Sequence, residues 1–306
     1  MISIVSPVYK AEKILPILVT EIEKTLAKMN EDYELILVDD RSPDQSWEVM
    51  KQLAAENKNL KIARLSRNFG QHATIIAGLE LAKGDFVVVM DCDMQDQPKE
   101  IEKLYQKTKE GYDVVLARRV VRKDSFSKKL GSQFFYKAFN YFAGIEINRE
   151  IANFGIYRKK VIDSVLSVKD QIKFFPLFVN WVGYNTTTIP IEHANREEGK
   201  SSYSFSKLLS LAFNVIVSFS DKPLKIFVTF GAIISALSVL VGCFYIYAYF
   251  THQITEPGFS SLILSIWFLS GVIISCIGVV GIYVGKTFNQ TKNRPVYIID
   301  ELYGTT

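Results

Sequence analysis

Phe86-Val87-Val88-Val89-Met90-Asp91-Cys92-Asp93-Met94-Gln95-Asp96-Gln97-Pro98 is the stretch whose reading decides the fold. Its opening apolar run, β-branched at three positions, predicts a strand buried on both faces, as in the interior of a parallel sheet. The run ends abruptly in acid. Asp91 and Asp93 leave the strand's carboxyl edge one residue apart, so a short turn can aim both at one cation, with the Gln95 amide as a third oxygen donor. Oxygen ligands of this kind suit Mg²⁺ or Mn²⁺. A cation so held neutralises a diphosphate as it leaves in a substitution. A lone Asp-x-Asp is also what a strand followed by a polar turn looks like, and the surrounding chain has to decide.

Working outward toward the amino end, strands are expected over residues 2–6, 33–38 and 60–65. Between them run helical patterns to about residue 29, to about residue 56, and over 71–82. Beyond the central strand come a helix over 99–109 and a strand over 113–117. Strands alternating with helices of this length predict an α/β fold with a mainly parallel sheet and right-handed crossovers. Ligands of such sheets sit outside the carboxyl ends of the strands. Pro7 and Tyr9, Asp39 and Asp40, and Asp91 and Asp93 all fall there. Neither a Gly-x-Gly-x-x-Gly nor a Walker Gly-Lys-Ser/Thr follows the first strand, which disfavours a dinucleotide oxidoreductase and a P-loop NTPase. A nucleotide held by carboxylates and a metal is left. Asp39 or Asp40 either accepts from ribose hydroxyls or a base N–H, or caps the helix starting near Asp44. The loop Ser66-Arg67-Asn68-Phe69-Gly70 either turns Arg67 and its backbone N–H groups to an anion or is simply a tight turn.

Toward the carboxyl end the composition shifts. The 306 residues carry a net charge of only +4, and no nucleic-acid signature appears, so no nucleic-acid partner is expected. Locally, Arg118, Arg119, Arg122, Lys123, Lys128 and Lys129 crowd against one acid, Asp124. The segment around 125–143, basic at its start and then rich in aromatics, predicts an amphipathic helix in a lipid interface, and 203–224 holds a second amphipathic run. Strands are expected at 153–158 and 186–191. The loop that follows, with Arg196 and Lys200, is either a diphosphate-binding or a solvated segment. Residues 226–250 and 262–285 contain no Asp, Glu, Lys or Arg. The first would make a helix about 37 Å long, enough to cross a bilayer core of roughly 30 Å, so both runs are read as membrane spans. Lys222 and Lys225 precede the first and Lys286, Lys292 and Arg294 follow the second, while 251–261 lacks Lys and Arg, which predicts both termini in the cytosol. The three cysteines show no pairing pattern or metal spacing, and no signal peptide is recognised at Met1. The expected organisation is a cytosolic catalytic domain over 1–202, a juxtamembrane helix over 203–224, two transmembrane helices over 225–286 and a cytosolic tail over 287–306.

Taken together, Pro7-Val8-Tyr9, Val38-Asp39-Asp40-Arg41-Ser42, Arg67-Asn68-Phe69-Gly70, the acidic turn Asp91–Pro98 and Phe219-Ser220-Asp221-Lys222-Pro223-Leu224 resemble family 2 (GT-A) glycosyltransferases. The resemblance is to those that load a sugar onto a polyprenyl phosphate, the group of dolichyl-phosphate mannose synthase and the bactoprenol glucosyltransferases. It implies a GT-A domain that moves a hexosyl group with inversion from a nucleotide diphosphate sugar, UDP-glucose being the expected donor, to undecaprenyl phosphate at the inner membrane. Donors carrying N-acetylhexosamine, an amino sugar or GDP-mannose are the alternatives. It further implies that Asp39 and Asp91 contact the nucleotide, that Asp93 and Gln95 hold Mg²⁺ or Mn²⁺, that Arg119 with Ser132 binds the lipid phosphate, and that the protein is a homo-oligomer, as in a tetramer. Arg122 and Lys128 join the lipid-phosphate set on charge. One departure stands out: relatives carry Asp in an Asp-Phe-Arg strand where this chain has Asn153-Phe154-Gly155. That departure keeps a non-catalytic sugar-nucleotide-binding membrane partner in view; a phosphohydrolase using Asp91 as nucleophile is the weaker rival.

Overall fold

The computed structural model describes residues 1–119, 151–170, 174–191, 220, 222–251 and 258–304. They divide into two compact units, one holding 1–191 and 294–304 and the other 220–293.

The first unit is built on alternating strands and helices: β1 Ile2–Val8, α1 Leu15–Met29, β2 Tyr33–Asp39, α2 Ser46–Glu56, β3 Leu60–Leu65, α3 Gln71–Leu81, β4 Phe86–Val89, α4 Ile101–Thr108, β5 Val114–Arg119, β6 Ile151–Arg158, α5 Lys159–Ser167, α6 Phe175–Trp181 and β7 Thr186–Ile191. A single 3-10 turn, Pro98–Glu100, leads into α4. The second unit contributes α7 Lys222–Phe250 and α8 Phe259–Thr291, after which β8 Ile299–Tyr303 returns to the first.

The strands form one eight-stranded sheet in the order β7-β5-β6-β4-β1-β2-β3-β8. Its centre, β4-β1-β2-β3, is parallel, as the βα alternation predicts. The expectation of a mainly parallel sheet needs correcting at the flanks: β6 runs antiparallel to both β4 and β5, and β8 runs antiparallel to β3, so the sheet is mixed. The cause is chain order. β5 does not dock beside β4; it leaves that edge to β6, which arrives from the opposite direction.

The apolar runs bury because both faces of the sheet are covered. Every residue of β1 is buried, and α1 contributes Leu15, Leu18, Val19, Ile22 and Leu26 from one stripe. Helix α3 is buried from Ala73 through Leu79 and approaches β1 so closely that a Cβ on Gly78 would strike Val5 Cγ1. Strand β1 also runs two residues past its expected end, through buried Pro7. β4 pairs only as far as Val5, so the missing proline N–H falls where no ladder partner remains on that side.

In the second unit, the stretch Ser265–Thr291 of α8 is the one helical segment among the described residues that is long and apolar enough to cross a membrane; in α7 the described apolar stretch is Leu224–Ile234. The Lys222 backbone N–H donates to Ser220 Oγ at 3.2 Å at the start of α7, and the Tyr283 hydroxyl donates to the Ser220 carbonyl at 2.8 Å.

Candidate active site

The carboxyl ends of β1 to β4 share one edge of the sheet, and their loops share an unusual backbone. Lys10 after β1, Arg41 after β2 and Met94 after β4 all have left-handed φ, between 55° and 58°, and Gly70 after β3 has φ 92°. A side chain with a Cβ adopts this region at a cost of about 1 kcal/mol or more, and such residues gather where a chain must turn sharply around a ligand.

Asp39 closes β2 fully buried, and both its carboxylate oxygens accept the Ser42 backbone N–H, at 3.1 and 3.3 Å. Arg64, opposite it in the β2–β3 register, brings Nε to 3.4 Å from Asp39 Oδ2. Asp40 accepts the backbone N–H groups of Phe69 at 2.7 Å and Gly70 at 2.9 Å, so this carboxylate ties the β2 and β3 loops together. Burial pushes both carboxyls above the usual range, against the lowering effect of these donors. Neither caps α2: Asp44 does the local work there, accepting from the Ser46 N–H and hydroxyl.

The acidic turn after β4 is held from α3. Gln71, first residue of that helix, donates from Nε2 to Asp91 Oδ1 at 2.6 Å. Asp93 Oδ1 accepts the Gln95 N–H at 3.2 Å across left-handed Met94. Asp91, Asp93 and Gln95 are all partly exposed, whereas Asp96 is buried, as is Glu100, which meets Lys103 at 2.7 Å. Cys92, between the two acids, has its thiol pushed up to about 12 by burial and by Asp91 and Asp93, which favours the protonated form.

Among the described residues no group of three or more His, Cys, Asp or Glu stands ready to hold a metal ion. A pair of carboxylates with an amide oxygen is nonetheless the donor set by which Mg²⁺ is held when phosphate oxygens of a substrate complete the shell. The residues present fit such a cation; they do not form a cage of protein groups alone.

Strand β6 brings Asn153 to the same edge. Val89 faces Gly155, so Asn153, two residues on in an antiparallel register, is level with Asp91. A Cβ on Gly155 would lie 2.9 Å from Leu116 Cδ2 and 3.0 Å from the Val115 carbonyl, leaving no room there for an arginine without movement of β5. Arg119 ends β5, paired with Ile191 of β7. Pro7 is buried in β1, and Tyr9 is exposed just past its end with Lys10 Nζ 5.5 Å from its ring. Arg67 is exposed and stacks on Phe69 at 4.1 Å. His72 lies edge-on to Phe174 at 4.5 Å, and burial pushes it down to about 4, so it is neutral and a weak base. Arg122, Lys128, Ser132, Arg196 and Lys200 lie outside the described residues, as does the side chain of Arg119.

Two groups were not foreseen from the sequence. Gln71 holds Asp91, and Arg64 stands beside Asp39. The second had a signal: an arginine near the end of β3, in register with the acid that ends its neighbour.

The sequence matches the family described as Glycosyl transferase family 2 over residues 3–166. An uncharacterized glycosyltransferase of Synechocystis sp. is 34% identical over 99% of this chain and 96% of its own length. The undecaprenyl-phosphate 4-deoxy-4-formamido-L-arabinose transferase of Proteus mirabilis is 34% identical over 99% of this chain and 94% of its own. Among solved structures, mannosyl-3-phosphoglycerate synthase of Rubrobacter xylanophilus superposes with a TM-score of 0.50 at 14% identity, over 71% of this chain and 72% of that one, a likeness of GT-A fold.

Proposed function

The chain belongs to glycosyl transferase family 2, and from that premise we propose that it transfers a sugar, with inversion, from a UDP-linked donor to undecaprenyl phosphate. The observation that carries this reading is the full-length similarity to the Proteus mirabilis transferase, which takes in the long apolar helices as well as the sheet. The resemblance in the motifs suggests UDP-glucose as donor; the name of that relative suggests a modified amino pentose.

In this reading Tyr9 and Asp39 receive the nucleotide, with Pro7 shaping the edge and Arg67, Arg196 and Lys200 facing the diphosphate. Asp40 acts at one remove, by fixing the Phe69–Gly70 backbone. Asp91, oriented by Gln71, and Asp93 with Gln95 would hold Mg²⁺ or Mn²⁺. The cation supplies charge neutralisation to the departing diphosphate. Arg119, Arg122, Lys128 and Ser132 bind the acceptor phosphate, for which a guanidinium offers a two-pronged donor. The attacking atom is a phosphate oxygen. With a second pKa near 6, a phosphate monoester is mostly dianionic at neutral pH, so no proton has to be removed and Asn153 can stand where an alcohol acceptor would need a base. Both α7 and α8 span the inner membrane with both termini cytosolic, and the protein works as a homo-oligomer, a tetramer by the resemblance.

The test is incubation of the detergent-purified protein with undecaprenyl phosphate and a panel of UDP- and GDP-sugars, reading the lipid product by mass, with and without EDTA. A lipid-linked sugar from one UDP donor, lost on chelation, is expected. Free sugar without lipid product would make the chain a hydrolase, and no product from any donor would leave a binding partner.

A further inference from the structure

Residues beyond α8 look like a polar end in the sequence, yet they are built into the sheet at many points. β8 pairs antiparallel with β3, Ile62 facing Tyr303 and Arg64 facing Glu301. The Ile298 carbonyl accepts the Ser66 N–H at 2.9 Å, and the Tyr297 hydroxyl hydrogen-bonds to Glu80. Gly304 has φ 82°, and any Cβ there would strike the Leu60 carbonyl, so the chain passes β3 where only glycine fits.

Two acids of β8 meet arginines at the carboxyl ends of β2 and β3. Asp300 Oδ2 lies 2.6 Å from Nη1 of Arg41, the left-handed residue that follows Asp39-Asp40. Glu301 Oε1 lies 3.7 Å from Arg64 Nη1, while Arg64 Nε is 3.4 Å from Asp39 Oδ2. The Arg64 guanidinium sits 5.6 Å from the Trp47 ring centre, and Tyr303 packs on that same ring at 5.8 Å. Arg64 is thus suspended between two carboxylates, one from β2 and one from β8, against an aromatic surface that β8 completes.

We infer that β8 is a wall of the nucleotide end of the site, with Asp300 and Glu301 as positioning residues that fix Arg41 and Arg64 and, through Arg64, the carboxylate of Asp39 for a nucleoside diphosphate. The class of ligand rests on the proposed function; the placement does not. The physical reason is competition for one cation. An arginine shared by two carboxylates leaves each partly satisfied, but without Glu301 it is drawn wholly to Asp39 and covers the oxygens that a ligand would use. Without Asp300, Arg41 loses its fixed partner and the turn after Asp40 loses its outer anchor.

The experiment uses the full-length protein in detergent with Mg²⁺ or Mn²⁺, titrated with UDP in a calorimeter. Asp300→Asn and Glu301→Gln should each weaken UDP binding about threefold and the double variant about tenfold, as expected for half-exposed ion pairs that share a site. In transfer assays the donor KM should rise while kcat at saturating donor and the KM for lipid acceptor stay put. A change in donor and acceptor constants together with a fall in melting temperature would show a plain edge strand and overturn the inference, as would unchanged UDP affinity in the double variant. UDP binding is read without turnover, so a protein that binds UDP but transfers nothing refutes the proposed reaction and leaves this inference intact. No binding of UDP or GDP to the unaltered protein overturns both.

Discussion

Strand β2 begins and ends on a buried carboxylate, and its surroundings treat the two in opposite ways. At the amino end Glu34 accepts from the Ser3 hydroxyl, the Lys61 ammonium and the Lys83 backbone N–H. Burial raises its pKa, but these donors together prevail and the carboxyl lies below its ordinary value. At the other end burial wins, and Asp39 and Asp40 lie above theirs. Glu34 and Asp39 are buried five residues apart in the same strand, and buried Asp40 follows it directly. The difference lies in donors: Glu34 has a cation fully engaged with it, whereas Asp39 shares a more distant arginine and Asp40 has neutral donors, the Phe69 and Gly70 N–H groups and the Thr74 hydroxyl. One end is finished as a structural joint. At the other, no cation among the described residues engages the carboxylates as closely, and the cost of burial is only partly offset.

The largest expected break in this comparison is functional. Asp93→Ala should cut lipid-linked sugar formation roughly a hundred- to a thousandfold, as removal of a group that stabilises leaving charge does, with the melting temperature unchanged; Asp91→Ala should do the same. Retained transfer in either would remove the carboxyl edge from the chemistry. Next is the opposite case. Glu34→Ala strips Lys61 of its buried partner and should cost about 3 kcal/mol of stability, read by thermal unfolding in detergent, while the donor KM of the folded fraction stays the same.

A subtler effect is a pH dependence of opposite sign at the two ends. Glu34, lowered in the fold, contributes stability above its unfolded value near 4.3 that is lost as pH falls through the folded value. The deficit of Glu34→Gln should therefore shrink as pH falls below about 4. Asp40, raised in the fold, contributes stability below its unfolded value near 3.9 that is lost as pH rises through the folded value. Asp40→Asn should accordingly gain on the unaltered protein as pH climbs from about 4. Parallel curves for the two variants would sink the contrast. The smallest effect should be at Asn153. Asn153→Ala is expected to keep transfer within about tenfold, with an acid limb near pH 6 set by the acceptor phosphate. A gain of about a hundredfold in Asn153→Asp, well inside what a general base can add, would show that a base was needed after all.

The parallel centre of the sheet was legible because its strands are short, mostly apolar runs alternating with helices, so local pattern and final environment agree. The flanking strands over 113–117, 153–158 and 186–191 were legible as strands, but their places and directions in the sheet, and β8 altogether, were not. β6 and β8 join the sheet through partners far away in sequence, Ile62 with Tyr303 and Val89 with Gly155, and no local period encodes which edge a strand will find or in which direction. The acids of the site were legible for the same reason that the centre was: strand ends are visible, and Asp39, Asp40, Asp91 and Asp93 sit on them. What orients those acids was less visible. Gln71 looks like any first residue of a helix until its amide is seen 2.6 Å from Asp91, and Asp40 looks like a ligand group until both its oxygens are found on the backbone of a neighbouring loop.

The position of β8 at the end of the chain also sets an order of events during synthesis. Strand β3 is complete at Leu65, but its outer neighbour does not exist until Ile299–Tyr303 has been made. At the usual pace of elongation that interval is on the order of ten seconds or more, and throughout it the β3 edge has no partner from its own chain and Arg41 and Arg64 lack their β8 acids. The long apolar helices emerge within the same interval, before β8. The nascent polypeptide therefore passes through a stage in which its central strands can pair but the outer edge of β3 is still open, and it closes only after both helices have been translated.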